Sequence, residues 1–203
     1  MIQAVLWDFG GVILSSPFDT FALYEAEVGL PPDTVRRINA TNPDTNAWAR
    51  LERSEVGLEE FCALVEAEGR AAGVELSGAR LIESLYGEVR PAMVEALRRV
   101  AARYKTACLT NNVTGGVRPQ LAEVMALFDV VVQSSEIGVR KPEPRFYEIA
   151  CELLNVAPSE CVFLDDLGVN LKPARAMGMT TIKVVDPDSA LAELETVLDL
   201  PLR

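Results

Sequence analysis

Four short clusters carry residue types that could do chemistry together. Asp8 closes the apolar run V-L-W and is followed by F-G-G-V; Thr110 and Asn111 follow A-C-L; Lys141 stands in V-R-K-P-E-P; Asp165 and Asp166 follow C-V-F-L. Each has a plain explanation when taken alone: a turn aspartate, a turn asparagine, a solvated lysine, an exposed acidic turn. Together they supply a carboxylate nucleophile, a hydroxyl and an amide or backbone N–H for phosphate oxygens, an ammonium, and a carboxylate pair. That set is what phosphoryl transfer through an aspartyl-phosphate requires. Gly10 and Gly11 let the backbone turn sharply beside a ligand. The prolines around Lys141 restrict its backbone and hold the ammonium in one direction. Two adjacent acids at a strand mouth repel each other unless a cation sits between or beside them.

Composition narrows the chemistry further. The 203 residues contain no histidine, which removes imidazole general bases, Ser-His-Asp triads and histidine-ligated zinc. Any metal must therefore sit on oxygen ligands, as Mg²⁺ does. A formal net charge of −11 disfavours nucleic acid and anionic membrane surfaces as partners, while a small anionic substrate in a locally positive pocket remains compatible. Cys62, Cys108, Cys151 and Cys161 show no C-x-x-C spacing and fall in apolar patterns, so free buried thiols are expected. With no leader-like segment before the first strand and no apolar run of membrane-spanning length, the expectation is a soluble, cytoplasmic protein.

The elements that must position these residues are legible from periodicity. Five continuous apolar runs, over 2–7, 105–110, 130–133, 161–164 and 181–185, read as strands of a parallel sheet covered on both faces. Helical patterns over 93–104, 119–128, 144–154, 170–177 and 189–198 alternate with them, with Pro91, Pro119 and Pro144 near helix starts and Gly178 as a C′ glycine. The stretch from 16 to 90 breaks the alternation and is helical only, with patterns over 18–28, 32–39, 45–52, 58–72 and 79–86. The expected fold is α/β: a doubly wound, Rossmann-like parallel sheet built from 1–15 and 91–203, with an all-helical cap inserted over 16–90. In such a sheet ligands bind outside the carboxyl ends of the strands, where Asp8, Thr110 and Asp165 would converge.

The order Asp, Thr, Lys, Asp-Asp resembles the haloacid dehalogenase-like (HAD) hydrolase superfamily, in its phosphatase branch with a helical cap. The resemblance runs the whole length, and F-L-D-D-L-G-V-N-L-K-P-A-R-A-M-G-M-T-T-I and K-P-E-P are similar to the amino-terminal phosphatase domain of soluble epoxide hydrolase. The resemblance implies Mg²⁺ as cofactor, Asp8 as nucleophile, and Asp8, the Gly10 carbonyl and Asp166 as metal ligands. Asp165 would support the metal shell and Lys141. Thr110, Asn111, Lys141 and Gly11 would bind the phosphoryl group, and Lys141 would bridge it to Asp8. The implied activity is hydrolysis of a small phosphorylated metabolite.

The departure is Gly10. Most phosphatases of this family carry a second aspartate there as general acid and base, on the same side of the strand as the nucleophile. Its loss would cost ~10²–10⁴ in rate unless the leaving group is good or another acid substitutes, for which Asp19 is a candidate. A metal-independent 2-haloacid dehalogenase also lacks that aspartate but has no need of an Asp-Asp pair. A catalytically lapsed binding or regulatory domain is the other alternative. In the helical block, Trp48 and Arg50 are candidates to reach the crevice. Substrate identity and oligomeric state are not legible.

Overall fold

The computed structural model describes residues 1–85, 87–114 and 121–203. Among them, five strands form one parallel sheet: β1 (Ala4–Trp7), β2 (Lys105–Thr110), β3 (Val130–Gln133), β4 (Cys161–Asp165) and β5 (Thr180–Lys183). Their order is β3-β2-β1-β4-β5, so the winding direction reverses at β1. The register pairs Trp7 with Cys108 on one side and with Leu164 on the other, which brings the carboxyl ends of β1, β2 and β4 level.

Alternation along the strands sends successive side chains to opposite faces. Val5, Trp7, Val162 and Leu164 pack with α6 (Pro91–Ala101) and α11 (Pro187–Leu198). Ala4, Leu6, Leu109 and Phe163 pack with α9 (Pro144–Leu154) and α10 (Gly168–Ala176). The inner strands β1, β2 and β4 are largely buried on both faces, as their continuous apolar runs require, whereas the edge strands β3 and β5 are partly exposed. Pro91, Pro144 and Pro187 occupy the first helical position, where the missing N–H is not needed.

A third apolar cluster belongs to the helices that follow β1: α1 (Pro17–Glu27), α2 (Thr34–Asn39), α3 (Ala47–Glu52), α4 (Leu58–Ala71) and α5 (Gly78–Glu83). Phe21, Trp48 and Phe61 form its aromatic centre, with Trp48 and Phe61 ring centroids 4.6 Å apart. The chain enters and leaves this block side by side: Leu14 bridges Val89 antiparallel, Ser15 N–H donates to Glu88 O (2.8 Å) and Arg90 N–H to Ile13 O (2.9 Å).

Several boundaries differ from the sequence expectation. β1 begins at Ala4 rather than residue 2, and β5 is Thr180–Lys183 rather than 181–185. Of the helix expected over 119–128, α7 (Ala122–Met125) is described and the start, with Pro119, lies outside the described residues, as does Tyr86 at the end of the 79–86 pattern. A short helix, α8 (Ser134–Ile137), follows β3 directly and has no periodic signal at its four-residue length. All four cysteines are free; Cys62 is half-buried and the other three are buried.

Candidate active site

Asp8 is fixed by an extension of the sheet. Its N–H donates to Leu164 O at 2.8 Å, continuing the β1–β4 ladder by one residue, and its Oδ1 accepts the Phe9 N–H at 2.6 Å. The chain then makes a wide turn over Phe9–Ile13, closed by Leu14 N–H to Phe9 O at 2.8 Å. The two glycines in that turn differ. Gly11 has φ 81°, and a Cβ there would fall 2.3 Å from Asp166 Oδ2, so only glycine fits. Gly10 has φ −73° and ψ 130°, and a Cβ would meet nothing nearer than Pro17 Cδ at 3.8 Å. Any residue could adopt the backbone of Gly10.

Lys141 comes from the loop before α9 and is 1% exposed. Its Nζ lies 2.7 Å from Asp8 Oδ1 and 2.8 Å from Asp165 Oδ2. Burial works against the ammonium, but the charges of Asp165 and Asp8 outweigh it and hold the lysine protonated well above its ordinary range. Asn111 clamps this loop: its Oδ1 accepts the Lys141 N–H (2.8 Å) and its Nδ2 donates to the Lys141 carbonyl (2.9 Å) and to Glu52 Oε2 (3.0 Å). The Asn111 side chain is thus spent on positioning Lys141, which leaves backbone as what this residue offers a ligand. Thr110 ends β2 and lines the same cavity as Asp8, with no side-chain partner among the described residues.

The acid pair divides its work. Asp165 is fully buried; besides Lys141 it accepts the Leu167 N–H (2.8 Å) and both oxygens accept Asn170 Nδ2 (3.1 Å each). Asp166 accepts the Ser16 hydroxyl, at 3.2 Å, and its own backbone N–H. Burial and the charge of Asp165 push the Asp166 carboxyl up to about 6, against the pull of Lys141 and Ser16. Asp8 is likewise pushed well above the usual carboxylate range, first by burial and then by Asp165. Asp8, Asp165 and Asp166 place a ligand oxygen each within 4.8 Å of one another. Three largely buried carboxylates face one ammonium, and the donors are all oxygen, a set that suits a hard divalent cation such as Mg²⁺.

These groups open into a cavity of about 650 Å³. Its far wall comes from the helical block: Phe18, Phe21, Arg36, Trp48 and Glu52 line it. Of the residues expected to reach the crevice, Trp48 does; Arg50 does not, pairing with Glu60 at 3.1 Å instead. Asp19 is exposed on α1 and does not line the cavity, so it is not placed to donate a proton there. Asn170, Glu52 and Ser16 are the participants that sequence alone did not single out. Asn170 sits on the first turn of the helix that follows Asp165-Asp166, and that adjacency was the one available signal.

A family model described as haloacid dehalogenase-like hydrolase matches residues 2–178. The chain is 40% identical over 192 residues to a phosphatase of Mycobacterium tuberculosis (strain CDC 1551 / Oshkosh), covering 88% of this chain and 85% of that one. It is 32% identical over 220 residues to bifunctional epoxide hydrolase 2 of Sus scrofa, covering 99% of this chain and 40% of that protein. Of several curated relatives the chain spans only 19% to 40% of the length. Among solved structures, it shares its fold with a HAD family enzyme from Bacteroides thetaiotaomicron crystallised with magnesium and inorganic phosphate, at a TM-score of 0.60 and 20% identity over 90% of this chain and 94% of that one.

Proposed function

Because this chain belongs to the haloacid dehalogenase-like hydrolase family, we propose that it is a Mg²⁺-dependent phosphatase acting on a small phosphate monoester through an aspartyl-phosphate on Asp8. The observation that carries the reading is the Lys141 ammonium held between Asp8 and Asp165 at 2.7 and 2.8 Å, with Asp166 beside them and short of cationic partners. In this reading residues 1–15 and 91–203 form the catalytic core and residues 16–90 the cap. The phosphatase and the magnesium- and phosphate-bound enzyme among its relatives support it.

An Asp8 oxygen forms the bond to phosphorus while the ester oxygen departs with the bonding pair. Lys141 neutralises charge on Asp8 and on the equatorial phosphoryl oxygens. The Thr110 hydroxyl and the backbone of Asn111 and Gly11 hold those oxygens. Water then attacks phosphorus, restoring the Asp8 carboxylate and releasing inorganic phosphate. Asp8, Asp166 and the Gly10 carbonyl would hold Mg²⁺, and Asp165, already committed to Lys141 and Asn170, would support that shell from behind. When bound, the ion would supply charge compensation between the carboxylates and the phosphate.

Gly10 leaves no proton donor two residues after the nucleophile. The rate should therefore depend steeply on leaving-group pKa, with aryl and acyl phosphates outrunning simple alkyl phosphates. Phosphate release from an aryl phosphate, with and without Mg²⁺ and in Asp8→Asn, tests the proposal. Mg²⁺-dependent release that disappears in the variant is expected. Turnover of 2-haloacids by chelator-treated protein would establish a dehalogenase instead.

A further inference from the structure

A second cavity, of about 600 Å³, lies against the first. The two share Gly10, Pro17, Trp48, Glu52, Leu85, Thr110 and Asn111 in their walls. The first holds the charged groups, Asp8, Lys141 and Asp166. The second is mostly apolar among the described residues: beyond the shared wall it is lined chiefly by Leu14, Val113, Leu121, Met125 and Val131, with Asn112 and Gln133 as its polar members. A mostly apolar chamber beside a phosphoryl site suits one part of a phosphate ester, the carbon body of its alcohol.

Gly10 stands where the two spaces meet. Its backbone needs no glycine, at φ −73°, and the Cβ direction is open apart from Pro17 Cδ at 3.8 Å. Neither strain nor packing accounts for a glycine here, in contrast to Gly11. A larger side chain would project into the shared space. We propose that Gly10 is a specificity-determining residue: its missing side chain keeps open a passage from the Asp8 cavity to the apolar chamber, and the substrate is a phosphate ester whose alcohol extends an apolar chain through it. This deepens the phosphatase reading and rests on it. It also supplies a reason for the loss of an aspartate at this position, since proton donation is exchanged for room.

The test uses a series of 4-n-alkylphenyl phosphates, in which chain length varies while leaving-group pKa stays nearly constant. KM should fall by up to about fourfold per added methylene until the chamber is full, with kcat nearly unchanged, because the gain is ordinary burial of apolar surface. Gly10→Val should erase this chain-length dependence. Met125→Trp, on a wall of the second cavity alone, should leave phenyl phosphate turnover unchanged and end the KM decline at a shorter chain; Val131→Phe does the same should the tryptophan disturb folding. Turnover of phenyl phosphate with no chain-length dependence in the parent protein would overturn the inference and leave the phosphatase reading standing. If no phosphate ester turns over, calorimetry with 4-alkylphenylphosphonates decides. Affinity that rises with chain length then keeps the chamber and discards the phosphatase reading, and flat or absent binding overturns the chamber as well.

Discussion

The two sides of the crevice are built by different means. On the sheet side, Asp8, Lys141 and Asp165 are buried, mutually bonded at 2.7–2.8 Å, and held by backbone contacts to Leu164, Asn111 and Leu167. On the helical side, the wall is Phe18, Phe21 and Trp48, whose ring centroids lie 5.8 and 6.0 Å apart in sequence, with Arg36 stacked 4.0 Å over Phe18. One side fixes charges to within a hydrogen bond; the other offers shape and apolar surface. In the proposed reaction, a small displacement on the first side would misalign reacting atoms, whereas on the second it would change which molecules fit.

The comparison is broken most directly at Asp8. Asp8→Asn should lower turnover by about 10⁴-fold or more in a folded protein, because an amide cannot take the place of the attacking oxygen. Phosphate release and far-ultraviolet circular dichroism measured together check this, and residual hydrolysis near the parent rate would remove Asp8 from its role. Lys141→Met comes next, at about 10²–10³-fold, since it withdraws the one ammonium facing the transferring group. Its melting temperature should also fall, because Asp8 and Asp165 are left buried without a counter-charge.

Asn170→Ala sharpens the comparison. Among the described residues its side-chain amide donates to Asp165 alone, so its effect on the chemistry is indirect, at about 10–100-fold. The loss should appear in kcat and in the Mg²⁺ concentration needed for half activity, and a pure KM effect would place Asn170 with the substrate instead. On the opposite wall, Phe18→Ala should change kcat for a small aryl phosphate by less than about threefold while reordering KM across substrates. Equal loss of kcat for every substrate would erase the distinction between the two sides.

The smallest expected effect is thermodynamic. Asp166 has its folded pKa raised from 3.8 to about 6, so between those values the native state binds more protons than the unfolded chain. The metal-free protein therefore loses stability from this group as pH rises through about 4 to 6, with the full penalty present above that window. Asp166→Asn lacks the penalty, so its melting temperature should exceed the parent's by about 2–4 °C at pH 7 and match it at pH 4. Saturating Mg²⁺ should narrow the gap by stabilising the parent. A gap independent of pH would point to packing rather than charge.

What sequence could reveal divides along the same line. A strand buried on both faces must be a continuous apolar run, so β2 was legible to the residue and its polar terminator Thr110 marked a candidate site residue; the edge strand β3 was legible to the residue from its run of valines. The helix after Pro144 was equally plain, since proline at its start and a C-terminal Asn155 in the left-handed region bracket it. Functions that depend on distant contacts were not legible. Nothing in T-N-N says that the Asn111 side chain is committed to the Lys141 backbone 30 residues on. The two glycines after Asp8 look alike in sequence, and only φ and the position of Asp166 separate them. Asp19 looked suitable as an acid by type and proximity in the chain, but helix α1 turns it outward. No helix among the described residues is long and apolar enough to cross a membrane.

The ribbon in which Leu14 faces Val89 has a consequence for the chain's history and handling. Because Ile13 and Ser15 are hydrogen-bonded to Arg90 and Glu88, the polymer leaves and returns at nearly the same point. The ends of the intervening segment are already closed, so lengthening or shortening it changes the closure entropy only logarithmically. Beyond that ribbon, the segment reaches the sheet-side site through Glu52, bonded to Asn111 and Arg140, and through Ser16, bonded to Asp166. An exchange of the whole segment for another of different size would need to preserve one pair of crossing backbones and replace the few contacts that Ser16 and Glu52 make to Asp166 and Asn111, and selection could thus redraw the molecule's clientele while leaving the sheet-side groups in place.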